Sequence, residues 1–186
     1  MPRTAVVALG GNAITRSGQS GTYDEQASNA RGMATAVSTI VDAGWRVVLV
    51  HGNGPQIGTL AAQQLSAGPA QPLHVLGAMT EGQLGSLLVL ALHEAGVPGA
   101  VTVLTHVVVD AADPAFERPT KPIGPFLTES DAHDIAARHG WTVGEDSGRG
   151  YRRLVASPLP REIVELDAVA RRAAARSLSI TASTPR

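Results

Sequence analysis

Short apolar runs that end in glycine alternate along this chain with stretches in which apolar residues recur every three or four positions. Thr4 to Leu9 is a dense run stopped by Gly10 and Gly11, which predicts a buried strand closing on a glycine turn. From Asp24 to Ala43, the residues Ala27, Ala30, Ala34, Val37, Ile40 and Val41 follow the helical period, and Gly44 stands where a helix would stop. Trp45 to Val50 repeats the first pattern and is cut off by His51, Gly52, Asn53 and Gly54. Strand, helix and strand at this spacing predict a βαβ unit with two parallel strands and a right-handed crossover.

Pro55 suits the first position of a helix running to about Gln64, because proline has no N–H to lose there. A further helix is expected over Leu76 to Ala95 and a strand over Ala100 to Val109. Asp110 to Phe126 holds four of the twelve prolines and reads as an irregular loop. Thr128 to Val155 predicts a short helix and then a hairpin turning at Asp146 to Gly150. Arg161 to about Arg176 is helical by period, with Ile163, Val164, Leu166, Val169 and Ala170 inward, and Ser177 to Arg186 continues no pattern.

Composition narrows the classes. A hydrophobic share of 44% with 17% charged residues is ordinary for a folded domain and too apolar for a disordered chain. Fifteen Lys and Arg against sixteen Asp and Glu leave a formal net charge of -1, which gives no field for capturing nucleic acid or an anionic membrane. The absence of cysteine removes disulfides, thiolate catalysis and Cys-ligated metal, and it fits the cytoplasm. No stretch of about 18 uncharged apolar residues is found, which argues against a membrane span, and the first residues lack the features of a signal peptide.

Candidate chemistry sits on the two glycine turns, Gly10-Gly11-Asn12 and Gly52-Asn53-Gly54. Each follows a parallel strand, and open α/β sheets bind ligands at strand carboxyl ends. Glycine lets a ligand approach the backbone N–H groups without a Cβ in the way, which suits a phosphate, and each turn adds an Asn amide. Either turn alone could be no more than a tight turn. The Rossmann and P-loop signatures are absent, as are H-E-x-x-H and G-x-S-x-G, and the six histidines are scattered. His51 adjoins the candidate site, yet a residue capping a strand explains it equally well. Lys121 is the chain's one lysine, framed by prolines in Arg118-Pro-Thr-Lys-Pro-Ile-Gly-Pro125, and a positioned ammonium is what phosphoryl transfer needs. Arg149, Arg152 and Arg153 crowd the hairpin, where a solvated basic turn is the simpler reading.

Five segments taken together resemble one family. VVALGGNA (Val6 to Ala13), VHGNGPQIG (Val50 to Gly58), AMTEGQLG (Ala78 to Gly85), DPAFERPTKPIGPF (Asp113 to Phe126) and GRGYRRLVASP (Gly148 to Pro158) resemble carbamate kinases, in order, across about Thr4 to Arg172. Other amino-acid kinases carry a lysine just before the first glycine pair, where this chain has Ala8. Carbamate kinases use the lysine of a protruding loop instead, and Lys121 matches it.

The resemblance implies an α/β fold, a three-layer αβα sandwich with a mainly parallel sheet. In that frame residues 1–176 form the carbamate and carbamoyl phosphate domain, including a protruding subdomain over 111–155, and 177–186 form a tail. It further implies a homodimer and reversible phosphoryl transfer between ATP and carbamate through carbamoyl phosphate, with Mg²⁺. Gly10, Gly11, Asn12, Gly52, Asn53 and Gly54 would bind the transferred phosphoryl group and Lys121 would neutralise it. The family's nucleotide half has no counterpart here, since the residues after Ala175 include no lysine, aspartate or glycine. Three readings stay open: a carbamate kinase impaired in this chain; a non-catalytic carbamoyl phosphate binder or one subunit of a split kinase; and a fragment that misfolds.

Overall fold

The computed structural model describes residues 3–16, 18–64, 71–174 and 179–185. It divides into two compact units: Met1–Asn53, Ala78–His106 and Ile163–Thr184 make the first, and Gly54–Gly77, Val107–Glu162 and Pro185–Arg186 the second.

In the first unit the two predicted strands form β1 (Thr4–Leu9) and β2 (Arg46–His51), paired in parallel from Thr4 opposite Arg46 to Leu9 opposite His51. β1, expected to be buried, instead lies at the edge of the sheet and alternates between exposed and half-buried, with Val6 69% exposed. One helical turn, α1 (Gly11–Ile14), follows β1, and the crossover is α2 (Tyr23–Asp42). Thr22 opens α2 as a capping box: its hydroxyl accepts from the Glu25 N–H at 3.4 Å, and the Glu25 carboxylate accepts from the Thr22 N–H at 2.9 Å. Ala27, Ala30, Ala34 and Val37 turn inward from α2 as their period requires. They share a core with Val47 and Leu49 of β2 and with Leu84, Leu88 and Leu92. Those three leucines come from α4 (Leu73–Glu94), which follows α3 (Gly54–Gln64). By length and composition α4 is apolar enough to cross a membrane, although Glu81 interrupts any uncharged run. Its leucines pack against β2, the position of a core helix.

The strand β3 (Val101–Val109) approaches α4 so closely that a Cβ on Gly85 would stand 2.3 Å from the Thr102 methyl group. The five-stranded sheet runs in the order β1, β2, β8, β3, β7, where β7 is Pro160–Ile163 and β8 is Ser179–Pro185. Two expectations change here. The stretch read as a patternless tail is a strand parallel to β2, with Leu49 opposite Ile180. The helix expected from Arg161 begins only at Leu166, as α6 (Leu166–Ala174), since Pro160–Ile163 has joined the sheet. Val164, Leu166 and Ala170, expected inward, are exposed. Residues 175–178, within the expected end of that helix and the start of the tail, lie outside the described residues. Glu165 ties the start of α6 to β3, accepting from both His106 Nδ1 and the His106 backbone N–H at 2.7 Å.

In the second unit β4 (Lys121–Leu127), α5 (Glu129–His139), β5 (Thr142–Glu145) and β6 (Tyr151–Val155) build an antiparallel sheet in the order β4, β6, β5. The proline-rich stretch expected to be irregular therefore ends in a strand. It tolerates Pro122 and Pro125 because β4 lies at the sheet edge, where a missing N–H costs least. A 3₁₀ turn at Pro114–Phe116 precedes it, capped by Asp113. The register shifts between Ile123 and Leu127, and there Gly124 adopts φ +84°. Gly124 meets Gly58 of α3 backbone to backbone: a Cβ on Gly58 would stand 1.8 Å from Gly124 Cα. Ile57, Ala61, Leu76 and Ile123 form the core beside that contact.

Replacing Gly58 with Ala is therefore expected to lower stability by about 2–3 kcal/mol, the scale of overpacking against a backbone that cannot yield. Gly32→Ala in mid α2, where an added Cβ meets nothing within 4 Å, is expected to raise it by about 0.5–1 kcal/mol. Urea unfolding of the two variants checks both signs.

Candidate functional site

Leu9 and His51 are the last residues of paired parallel strands, so the chain leaves the sheet twice at one point. A further hydrogen bond extends the pairing past the strand ends: the Gly52 N–H donates to the Leu9 carbonyl at 3.3 Å. Gly10-Gly11-Asn12 and Gly52-Asn53 thus lie side by side at the carboxyl edge of the sheet. Gly10 caps α1 in extended conformation (φ −63°, ψ 161°), and its carbonyl accepts from the Ala13 N–H at 2.8 Å. The buried Asn29 of α2 steadies the turn, donating to the Ile14 carbonyl at 3.0 Å and to Gln19 Oε1 at 2.7 Å. The Asn12 side chain lies outside the described residues.

The glycines here are not accounted for by the chain's own packing. A Cβ on Gly10, Gly52 or Gly54 would meet nothing within 4 Å. None of the three has a positive φ, so neither backbone conformation nor a crowding neighbour demands glycine. What the missing Cβ atoms leave is open space against the backbone, the arrangement through which N–H groups meet an anion.

Beneath the turns the interior changes character. Residues two apart on a strand share a face, and on β2 that face reads Val47, Leu49, His51, continued by Asn53. Val47 and Leu49 belong to the apolar core, whereas His51 and Asn53 are equally buried but polar, 3% and 5% exposed. Asn53 Nδ2 donates to Thr80 Oγ1 on α4 at 3.0 Å. The next residue, Glu81, is 2% exposed, and its carboxylate accepts from the Thr105 N–H of β3 at 3.0 Å. Thr80, Glu81 and Thr105 were not singled out as site residues from sequence. The available signal was a Thr-Glu pair inside a helix that carries no other acidic residue before its last position, Glu94. Burial depresses the His51 pKa, opposed by the contact of Nδ1 with the Gly52 carbonyl at 3.3 Å, so the ring is neutral near pH 7.

Two of the candidate residues belong to the second unit. Gly54 opens α3. Lys121 opens β4 opposite Val155, exposed, and its ammonium makes no hydrogen bond or ion pair among the described residues. The arginines of the hairpin are engaged within their own unit, and Arg152, 12% exposed, is not the solvated side chain that a basic turn would present. Arg152 Nη1 meets Asp146 Oδ2 at 2.9 Å, Arg149 and Arg152 lie over Phe126, and Arg153 lies 4.2 Å over Trp141. The hydrogen bond from Arg152 holds the Asp146 carboxyl below its usual range, with Ser147 and Arg149 adding to the effect against a smaller opposing effect of burial. Among the described residues no group of three or more His, Asp or Glu side chains is placed to hold a metal ion.

The pairing of two glycine turns at the carboxyl edge of a parallel sheet is the site arrangement of an open α/β protein. A model of the amino acid kinase family matches residues 3–150, and the chain belongs to that family. Within it, the chain is similar to carbamate kinases. It is 46% identical over 181 residues to the carbamate kinase of Pyrococcus horikoshii, covering 92% of this chain and 58% of that protein. It is 48% identical to the carbamate kinase of Thermococcus kodakarensis, covering 88% and 55%. Among solved structures, carbamate kinase from Giardia lamblia bound to citric acid superposes with a TM-score of 0.91 at 40% identity, covering 97% of this chain and 61% of that one. The Giardia enzyme bound to AMP-PNP gives 0.79 at 39%. The chain spans a little over half the length of the curated relatives it matches.

Because Gly52 has open space around it and no positive φ, Gly52→Val is expected to change folding stability by no more than about 1 kcal/mol, an ordinary surface-scale effect. The same branched side chain covers the backbone N–H groups, so binding of inorganic phosphate is expected to weaken at least about tenfold, roughly one lost charge-assisted hydrogen bond. Isothermal titration alongside thermal unfolding separates the two.

Proposed function

We propose that this chain carries the acyl-phosphate site of a carbamate kinase, the half of the active centre that holds carbamate or carbamoyl phosphate during reversible phosphoryl transfer with ATP. The observation that carries the reading is the Gly52 N–H to Leu9 carbonyl bond, which sets two uncrowded glycine turns against one another. Gly10, Gly11, Asn12, Gly52, Asn53 and Gly54 bind the transferred phosphoryl group through backbone N–H groups. Lys121 supplies the positive charge that its equatorial oxygens need. No general base is called for, because carbamate is already an anion and its oxygen attacks phosphorus directly.

Phosphoryl transfer depends on holding donor and acceptor in line. The chain spans 58% of its Pyrococcus relative. A second reading stands beside catalysis: these 186 residues bind carbamoyl phosphate without turning it over, or work with a separate chain that supplies the nucleotide half. Supplied with carbamoyl phosphate, ADP and Mg²⁺, the purified chain alone is expected to form ATP at below about 1 per second, the low end of ordinary enzymes. It is nonetheless expected to bind carbamoyl phosphate and phosphate in titration, and Lys121→Ala is expected to weaken both about tenfold or more. Failure to bind either anion would overturn the proposed site.

A second copy of the chain is the other partner this reading includes. Met79, Gln83, Ser86 and Leu90 form one exposed, uncharged face along α4, with Met79 and Leu90 49% and 56% exposed, the composition of an interface core rather than of a solvated helix. Sedimentation should show a dimer that Leu90→Asp converts to monomer; a wild-type monomer at micromolar concentration would exclude this interface.

A further inference from the structure

Among the buried polar atoms that the described residues leave without a partner, His51 Nε2 adjoins the glycine turn at Gly52. His51 Nδ1 faces the Gly52 carbonyl at 3.3 Å. A carbonyl oxygen can only accept, so the ring proton sits on Nδ1. In the neutral ring Nε2 is then a bare acceptor. That nitrogen is shut off from solvent and has no hydrogen-bond partner, while the whole residue is 3% exposed. A protein interior rarely leaves such an atom unmet, because the desolvation cost of an orphaned acceptor is on the order of 1–3 kcal/mol.

Its place in the fold narrows what could satisfy it. His51 continues the inward face of β2 beyond Val47 and Leu49, next to Gly52, and Asn53 on the same face reaches Thr80 of α4. The nitrogen therefore belongs to the polar layer directly under the turns that receive the anion. The ionised oxygens of an acyl phosphate dianion and of a carboxylate only accept and cannot serve an acceptor nitrogen. The one donor that carbamate and carbamoyl phosphate bring is the N–H of the carbamoyl group.

We infer that His51 Nε2 accepts a hydrogen bond from the carbamoyl N–H and so makes the site select a carbamoyl over an acetyl group. His51 is a specificity-determining residue in this role. It takes no proton from substrate, since the N–H stays bonded throughout phosphoryl transfer. The inference rests on the anion site proposed above and adds to it the identity of the acyl group.

Acetyl phosphate replaces the amino group with a methyl group of nearly the same size, which isolates the contact. Titrating the full chain with inorganic phosphate, acetyl phosphate and carbamoyl phosphate should show carbamoyl phosphate bound roughly 3- to 10-fold more tightly than acetyl phosphate, the worth of one neutral hydrogen bond. His51→Leu should bring carbamoyl phosphate down to the acetyl phosphate level while phosphate binding is unchanged. His51→Gln, whose amide oxygen can stand near the Nε2 position, should retain part of the preference. Equal affinities in the wild type, or a preference that survives His51→Leu, would overturn the inference while leaving the anion site standing. Absence of phosphate binding to the wild type would overturn both. Should His51→Leu not fold, ¹⁵N NMR of the wild-type imidazole decides: Nε2 is expected to shift with carbamoyl phosphate and not with acetyl phosphate, and identical responses would refute the contact.

Discussion

One backbone hydrogen bond, from the Gly52 N–H to the Leu9 carbonyl, is the constraint on which the candidate site depends. It continues the β1 to β2 pairing one step past the strands and forces two loops, separated by forty-odd residues of chain, to start from adjacent points. Parallel pairing places both exits at the same edge, which an antiparallel pair of this kind could not do. The crossover needed to return the chain is α2, whose small residues Ala27, Ala30 and Ala34 let it lie close on the sheet. Its Asn29 reaches back to fasten the first turn, so the helix that closes the βαβ unit also holds the loop it spans.

The same layer is apolar at one end and polar at the other. Val47, Leu49, Leu84 and Leu88 provide the cohesion of the first unit. One helical turn before Leu84, α4 carries Thr80 and Glu81 into the interior, where they meet Asn53 and Thr105. Buried polar groups are costly unless bonded, and these are bonded to the elements that frame the glycine turns. They fix the relative positions of β2, β3 and α4 at the site without adding to the hydrophobic driving force. In this layer His51 Nε2 and the Thr105 hydroxyl are left without a partner among the described residues.

In the second unit the organising contact is steric rather than polar. Gly58 and Gly124 allow a helix and an edge strand to touch backbone to backbone, and the register shift beside Gly124 bends β4 at that point. Lys121 begins this strand. It is thus presented by a sheet with a helix packed on it, and the prolines around it are compatible because β4 is paired on one side only.

Much of this was legible in the chain itself. The runs at Thr4–Leu9 and Arg46–His51, the helical period of α2 and the glycine-Asn turns are local signals, and the uniformly apolar run of β2 matches its burial on both faces, whereas the equally apolar β1 lies at the sheet edge with Val6 69% exposed. Five ordered segments were likewise enough to indicate the family. What the sequence could not decide depends on partners distant along the chain. Ser179–Pro185 offers only Ile180 and Ala182 as apolar positions and is a strand because it pairs between β2 and β3, a case of β structure imposed by context. Arg161–Ile163 carries the helical period of the residues after it, yet with Pro160 it pairs in the sheet, and Leu166 of α6 is outward and 56% exposed. Pro122 and Pro125 read as breakers because position at a sheet edge is not written in local sequence. His51 looked like a strand cap, since hydrophobic pattern cannot tell whether a polar ring at a strand end is bonded, solvated or buried with a nitrogen unmet. Only the packing of α4 over the end of β2 settled that.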